Sequence, residues 1–186
     1  MRDPKRVAIL ISGRGSNMRA LIEHEHDYEV VLIASNKPHA EGLDWARARG
    51  LSTWAWNSKG IDKEEFDRAL SVALDDHGVG TIALAGFMRI LSSWFIEEWR
   101  GRVLNIHPSL LPKYRGLDTH KRALDAGDGV HGCSVHVVTE ELDAGKVLGR
   151  AEVPILPGDD PKSLESRVLD AEHQLYPRIL GEFVRR

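Results

Sequence analysis

Cysteine is almost absent from this sequence, in which Cys133 is the only one among 186 residues. A single cysteine cannot form a disulfide within the chain, so a fold that depends on an oxidising compartment is excluded. The residues beside Cys133 do not provide the basic setting that lowers the pKa of a reactive thiol. We therefore expect a reducing compartment, the cytoplasm, and chemistry that uses no thiol nucleophile.

An excess of charge of one sign is also missing, because 25 lysines and arginines face 28 aspartates and glutamates, for a formal net charge of -3. Proteins that follow a phosphate backbone carry a basic field. The apolar run near the N-terminus is too short for a secretory signal. Since 42% hydrophobic and 28% charged residues are ordinary for a globular protein, we expect one domain over residues 1–186, with neither nucleic acid nor membrane as a partner.

The first glycine-rich turn lacks the third glycine of a dinucleotide-binding fingerprint. Residues 6–12 form an apolar run that predicts a strand, Gly-Arg-Gly-Ser-Asn follows at 13–17, and helical spacing begins at Met18. Met18 occupies the third glycine position, which disfavours a nicotinamide cofactor. Ser16 or Asn17 can cap the helix, and free N–H groups at its start suit a phosphate. Turns of this kind also occur as plain connections, and the residues alone leave both interpretations open.

The rest of the chain alternates between strand and helix patterns, which is typical of an α/β protein with a parallel sheet. Further strands are predicted over residues 29–35, 51–56, 79–84, 103–107, 130–139 and 146–153, of which the last two can pair as an antiparallel hairpin. Helices are predicted over residues 40–49, 62–77, 92–99, 119–126 and 161–183. Asp62 and either Ser92 or Ser93 are the predicted caps of their helices, and Pro177 is expected to interrupt the last one.

Two side chains of a chemically useful kind lie on the strand that Pro108 ends. Asn105 and His107 alternate with apolar residues and therefore point to one face, and proline ends the strand because it has no N–H for a ladder bond. Open α/β sheets usually bind ligands at the carboxyl ends of their strands. A histidine at a strand end is nevertheless more often structural than catalytic, so the residues around His107 must show which of the two it is.

Asn105, His107 and Asp143 together suit acyl transfer. A tetrahedral intermediate needs a hydrogen-bond donor for its oxyanion and a group that moves protons between the nucleophile and the leaving nitrogen. Asn105 and His107 can supply these functions, and a carboxylate near the imidazole favours its protonated form. Asp143 is the candidate carboxylate, although an aspartate before Ala-Gly is ordinarily a turn residue.

The segment at residues 85–91 is unusually apolar for the loop that its position predicts. Its sequence is Ala-Gly-Phe-Met-Arg-Ile-Leu. Such a segment either packs in the core or forms the wall of an apolar pocket. The residues alone favour neither.

Four motifs, in this order along the chain, resemble those of the folate-dependent formyltransferases. They are Ile-Ser-Gly-Arg-Gly-Ser-Asn at 11–17, Leu-Ala-Gly-Phe-Met-Arg-Ile-Leu at 84–91, Leu-Asn-Ile-His-Pro-Ser-Leu-Leu-Pro at 104–112 and Gly-x-Ser-Val-His-x-Val-x4-Asp-x-Gly at 132–145. The match covers almost the whole chain. It implies a single-domain, Rossmann-like α/β formyltransferase fold with a mostly parallel central sheet, helices on both faces and an antiparallel hairpin late in the chain.

The resemblance also implies an activity, which is direct formyl transfer from 10-formyl-tetrahydrofolate, as co-substrate, to the glycine amine of glycinamide ribonucleotide. It implies no metal, and it is compatible with a monomer or a homodimer. The implied catalytic residues are Asn105, His107 and Asp143. The implied ribonucleotide contacts are Gly15, Ser16, Asn17, Leu169, Asp170, Ala171 and Glu172. The implied folate contacts are Lys63, Met88, Arg89, Ile90, Leu91, Asn105, Thr139, Glu140, Glu141, Leu142 and Asp143.

Two residues depart from the family pattern. Arg115 stands where a small residue or proline is expected before Gly116, and Asp118 stands where histidine is frequent. The rival members with the same catalytic residues are methionyl-tRNA formyltransferase and formyl-tetrahydrofolate hydrolase, which carry a further domain for which 186 residues leave no room. A noncatalytic nucleotide-binding module is the alternative from another class, and the intact Asn-His-Asp set argues against it.

Overall fold

The computed structural model describes residues 2–24 and 27–186. Within these ranges, the strands are β1 (Asp3–Ile11), β2 (Glu29–Ser35), β3 (Thr53–Ala55), β4 (Val79–Leu84), β5 (Val103–His107), β6 (Val130–Val137) and β7 (Val147–Pro154). The helices are α1 (Ser16–Glu23), α2 (Glu41–Arg47), α3 (Lys63–Asp76), α4 (Ser93–Glu98), α5 (Thr119–Asp125) and α6 (Pro161–Val184). No helix in the described ranges has the length and apolar character needed to cross a membrane.

All seven strands belong to one sheet, in the order β3-β2-β1-β4-β5-β6-β7. Neighbouring strands from β3 to β5 pair in parallel, whereas β6 pairs antiparallel with both β5 and β7. The mostly parallel sheet and the late antiparallel hairpin are therefore confirmed. Between β1 and β4 the order of the strands reverses, which is where open α/β sheets place ligand sites.

Helices cover both faces of the sheet, which explains why β4 is buried along its whole length. On one face, α1, α2 and α6 pack on the sheet in a cluster that includes Ile9, Leu104 and Ile106. On the other face, α3 and α4 pack on a cluster that includes Leu10 and Val103. Side chains of a strand alternate between faces, so Asn105 and His107 lie on the same side of β5 as Val103.

The last helix contradicts the predicted interruption, because α6 runs continuously through Pro177. A proline inside a helix costs about 3 kcal/mol. Tertiary contacts offset that cost: Tyr176 and Leu180 are fully buried, and the Tyr176 hydroxyl donates to the carbonyl oxygens of Leu84 and Leu104, each at 3.1 Å. The sheet thus holds the helix on both sides of the proline.

The predicted caps are confirmed for α3 and α4. Asp62 accepts hydrogen bonds from the backbone N–H groups of Glu64 and Glu65, and Ser92 accepts one from Phe95. For α1 the prediction is wrong, since the cap is Gly15 and no side chain bonds to the helix start. Its φ of 74° lies in the left-handed region that favours glycine.

Candidate active site

The carboxylate of Asp143 lies between two buried histidines. Its Oδ2 atom is 3.4 Å from Nδ1 of His107, and its Oδ1 atom is 3.6 Å from Nε2 of His136. The backbone N–H of Gly116 donates to Oδ2 at 3.0 Å. Asp143 itself has a φ of 50°, a conformation that aspartate tolerates better than most residues. The structure therefore places the predicted carboxylate beside the predicted histidine, although 36 positions separate them in the sequence.

His107 has an acceptor at each ring nitrogen. Its Nε2 atom lies 2.9 Å from the carbonyl oxygen of Tyr114, and a carbonyl only accepts, so Nε2 carries a proton. Nδ1 faces the Asp143 carboxylate, which also only accepts when ionised. The side chain is almost fully buried. The two acceptors therefore fix the orientation of the His107 ring.

Asn105 is held by a histidine that the sequence-based site omitted. Asn105 and His136 are direct partners across the antiparallel β5 and β6 strands, and the Nδ2 atom of Asn105 lies 3.4 Å from Nε2 of His136. The other ring nitrogen of His136, Nδ1, donates to the carbonyl oxygen of Val137 at 3.1 Å. Burial lowers the pKa of His136, so the neutral ring can accept from the Asn105 amide. His136 belongs to the motif at 132–145, and its alternation with Ser134 was the available signal.

A cavity of about 620 Å³ opens beside these residues at the carboxyl ends of the strands. Its walls come from the loops after β4 and β5, from α1 and from α6. Among the predicted site residues, the cavity brings together Asn17, Met88, Asn105, His107, Leu169 and Glu172. Lining residues that the sequence-based site omitted include Phe87, Leu117, Asp118, His120, Lys121 and Glu165.

The pairing of Asn17 with Glu172 joins α1 to α6 at the cavity. Nδ2 of Asn17 donates to Oε2 of Glu172 at 2.8 Å, and both side chains are buried. Burial raises the pKa of Glu172 to about 7, against the lowering effect of this hydrogen bond. Asn17 therefore faces Glu172 instead of capping its own helix, which is why the predicted side-chain cap is absent.

The other predicted ribonucleotide contacts lie around this pair. Gly15 and Ser16 are partly buried at the start of α1, Asp170 is exposed and Ala171 packs against the core. A Cβ atom on Gly15 would lie 3.0 Å from the Cε atom of Met18, a tight contact that adds to the preference for glycine set by the φ of 74°. These four residues do not line the 620 Å³ cavity.

One part of the apolar loop after β4 packs in the core, and another part lines the cavity, which are the two roles that its sequence allowed. Leu91 is buried with the cluster under α3 and α4, whereas Met88 and Ile90 are 69% and 71% exposed, and Met88 lines the cavity. The Arg89 guanidinium contacts the segment before α3 and the helix itself. It lies 4.8 Å from the Phe66 ring centroid. It also donates to the carbonyl oxygens of Ser58, Ile61 and Asp62.

The remaining predicted folate contacts are exposed and do not line the cavity. Lys63 is the first residue of α3. Thr139, Glu140, Glu141 and Leu142 form the loop that leads into Asp143. Glu141 pairs at 2.8 Å with Arg115, one of the two residues that depart from the family pattern. The other, Asp118, starts α5 with a φ of 56° and lines the cavity.

A second pair of histidines supports the wall of the cavity. His120 lines it, and its Nδ1 atom lies 3.2 Å from Nε2 of the buried His131. Burial and the neighbouring His120 lower the pKa of His131 to about 4. At neutral pH this pair is therefore uncharged, and the cavity gains no positive charge from it.

The single cysteine of the described ranges is not among the side chains that line the cavity. Burial raises the pKa of the Cys133 thiol to about 12, so it is inert as a nucleophile at neutral pH. Residues 2–24 and 27–186 contain no cluster of three or more histidine, cysteine, aspartate or glutamate side chains arranged to hold a metal ion.

Comparisons with known proteins identify the family of this chain. The model of the formyl transferase family matches residues 5–180. The phosphoribosylglycinamide formyltransferase of Escherichia coli is 44% identical over 95% of this chain and 86% of its own length. The trifunctional purine biosynthetic protein adenosine-3 of Drosophila melanogaster is 48% identical over 97% of this chain, which spans only 14% of that relative.

A solved structure extends the likeness to three dimensions. Phosphoribosylglycinamide formyltransferase from Brucella melitensis superposes with a TM-score of 0.92 at 48% identity, covering 98% of this chain and 96% of that one. The family match over residues 5–180 contains every residue that lines the cavity, Asn105 and His107 included, and it also contains Asp143. By sequence and by fold, this chain belongs to the formyl transferase family.

Proposed function

We propose that this chain transfers the formyl group of 10-formyl-tetrahydrofolate to the glycine amine of glycinamide ribonucleotide. The products are formylglycinamide ribonucleotide and tetrahydrofolate, and the step belongs to de novo purine biosynthesis. One observation carries the proposal: Asn105 and His107, with Asp143 behind His107, meet the Asn17 and Glu172 pair at a single cavity. The names of the Escherichia coli and Brucella melitensis relatives support the identity of the acceptor.

The two side chains from β5 would act on the tetrahedral intermediate. The amine nitrogen bonds to the formyl carbon, and the carbonyl electron pair moves to oxygen. The second N–H of the Asn105 amide would donate to this oxyanion, and the Nε2–H of His107 would do so on leaving the carbonyl oxygen of Tyr114. When the carbonyl reforms, the bond to the folate nitrogen breaks, and that nitrogen gains the proton that the amine loses, with His107 as the group that moves it. Asp143 would stabilise His107 while it is charged.

The substrates would approach from opposite sides of these residues. The ribonucleotide phosphate would bind the free backbone N–H groups at Gly15, Ser16 and Asn17, because a helix start offers unpaired donors and a positive dipole end. Leu169 to Glu172 on α6 would form the second ribonucleotide contact. The folate would lie along residues 88–91 and 139–143, where the exposed Met88 and Leu142 offer apolar surface.

Three further expectations belong to the proposal. Residues 1–186 would form one formyltransferase domain that works in the cytoplasm with small-molecule substrates alone. Its oligomeric state would be a monomer or a homodimer. Sedimentation velocity over a range of protein concentrations separates the two states.

The decisive experiment is an assay of formyl transfer with three acceptors. The purified protein is given 10-formyl-tetrahydrofolate with glycinamide ribonucleotide, with methionyl-tRNA, or with water alone, and formylated products and tetrahydrofolate are quantified by mass spectrometry. We expect formyl transfer only in the first reaction, where the product is formylglycinamide ribonucleotide. Formylated methionyl-tRNA, or tetrahydrofolate released with formate alone, would replace this function with that of a rival in the family.

A further inference from the structure

The hydroxyl group of Ser12 joins the two loops that flank the cavity. Ser12 directly follows β1 and is 6% exposed. Its Oγ atom donates to Oδ1 of Asn36 at 2.5 Å and accepts the backbone N–H of Met88 at 2.8 Å. Its own backbone N–H donates to the carbonyl of Gly86 at 3.1 Å. One residue thus connects the start of the loop at 13–17 to the loop at 86–91.

The direction of the Ser12 hydroxyl is fixed by its partners. A hydroxyl has one proton to donate, and the N–H of Met88 can only donate, so the Ser12 proton must point to Asn36. The amide group of Asn36 is oriented in turn, because its Nδ2 donates to Oγ of Ser58 at 3.3 Å. An oriented lone pair of Ser12 therefore holds Met88 in place.

The hydrogen bond between Ser12 and Met88 connects the two sides of the cavity. Met88 lines the cavity on the side proposed for the folate, and Asn17, five residues after Ser12, lines it on the side proposed for the ribonucleotide. A ligand that ordered one of these loops would also favour the ordered form of the other, because the Ser12 hydroxyl bonds to Met88. Two sites that share an ordered element are thermodynamically coupled.

We propose that Ser12 is a positioning residue that couples ribonucleotide binding at 15–17 to folate binding at 88–91, an inference that rests on the proposed function. Ser12 contacts neither reacting atom. It acts through Met88 and through the chain that follows it. The coupling must be reciprocal, so each ligand tightens the binding of the other by the same factor.

The test compares Ser12→Ala with a control that loses a similar buried hydroxyl elsewhere in the sheet. Thr81 on β4 is 1% exposed, and its Oγ1 donates to the carbonyl of Pro4 at 2.7 Å, away from the cavity. Thr81→Val therefore removes a hydrogen bond without touching either loop. The dissociation constant of tetrahydrofolate is measured by calorimetry with and without saturating glycinamide ribonucleotide.

We expect the ribonucleotide to tighten tetrahydrofolate binding at least about fivefold in the wild type and in Thr81→Val, and less than about twofold in Ser12→Ala. The proposal is overturned if Ser12→Ala keeps the wild-type coupling factor, or if the wild type has none. Should Ser12→Ala not fold, Ser12→Cys offers the same comparison, because a thiol is a weak donor and acceptor.

A measurement without ligands keeps this test separate from that of the proposed function. Hydrogen exchange of the free protein should be faster in the segments 13–17 and 86–91 of Ser12→Ala, by about tenfold at Met88, and unchanged there in Thr81→Val. Equal exchange in all three proteins would overturn the role of Ser12. Failure of the proposed function would show instead as absence of formyl transfer by the wild type, whatever the exchange result.

Discussion

Asn17 and Glu172 are 155 positions apart in the sequence, and their side chains share a buried hydrogen bond of 2.8 Å at the floor of the cavity. The bond fixes the start of α1 against the middle of α6. Burial raises the pKa of the glutamate to about 7 from 4.5, so the proton on Glu172 changes near physiological pH. The pair therefore gives both the stability of this protein and the charge of its candidate cavity a pH dependence.

The first prediction concerns the stability of the fold against pH. The folded protein binds the Glu172 proton more tightly than the unfolded chain, so this stabilisation is complete below about pH 4.5 and is lost as pH rises through about 7. Relative to Glu172→Gln, which keeps an acceptor for Asn17 but does not titrate, the wild type should lose on the order of 3 kcal/mol between these limits. Urea unfolding of both proteins at a series of pH values measures the difference. If the difference in unfolding free energy between the two proteins did not change with pH, the pKa of Glu172 would be the same in the folded and unfolded states.

The second prediction concerns the charge of Asp143. Asp143→Asn keeps the shape and an acceptor for the N–H of Gly116, but it removes the field on His107. We expect the kcat of formyl transfer to fall by about a hundredfold or more, with much smaller changes in both KM values. Glu152→Gln is the matched control, since it neutralises an exposed carboxylate on β7 that does not line the cavity. A kcat for Asp143→Asn as high as that of the control would leave Asp143 only a turn residue.

The third prediction concerns the phosphate loop. In Gly15→Ala the new Cβ would crowd Met18 and strain a backbone with a φ of 74°, so glycinamide ribonucleotide should bind at least about tenfold more weakly, while tetrahydrofolate binding stays nearly constant. Gly50 has a similar φ of 73° with open space around it, so Gly50→Ala controls for the strain alone. Calorimetric titration with each ligand decides the matter. Equal losses for both ligands would mean that the loop is only structural.

The fourth prediction concerns the exposed apolar residues of the loop at 88–91. Met88→Asp should raise the KM for the formyl folate by about tenfold, because the new carboxylate would lose its hydration against the rings of the bound folate. Ile90→Asp should have the same effect to a smaller degree. The KM for the ribonucleotide should change little. Val72 on α3 is 61% exposed and does not line the cavity, so Val72→Asp controls for an added surface charge. Unchanged folate binding in a fluorescence titration of Met88→Asp would remove this loop from the folate site.

Much of the fold follows from local pattern. The bounds of β2 and β4 agree with the predicted residues 29–35 and 79–84, since mostly apolar runs between turn residues are signals that do not depend on distant contacts. Asp62 and Ser92 act as the predicted caps for the same reason. The alternation of side chains on β5 likewise placed Asn105 and His107 on one face before any tertiary contact was known.

The errors arise where distant contacts outweigh local preference. Pro177 does not break α6, because Tyr176 bonds to the sheet through its hydroxyl and the adjacent turns are buried. Asn17 does not cap α1, because a buried carboxylate 155 positions away offers it a better partner. Neither partner is visible in a window of neighbouring residues.

The sequence by itself determined the identities and spacing of Asn105, His107 and Asp143 and therefore the chemistry that they can perform. Tertiary structure decided their geometry: antiparallel pairing of β5 with β6 sets His136 opposite Asn105, and the loop after β6 turns Asp143 back onto both histidines. Strand register and loop path depend on the packing of the whole sheet and its helices, in which residues far apart in sequence become neighbours. Local periodicity therefore placed the candidate residues Asn105 and His107 on one face, and only long-range packing could give their distances to Asp143 and His136.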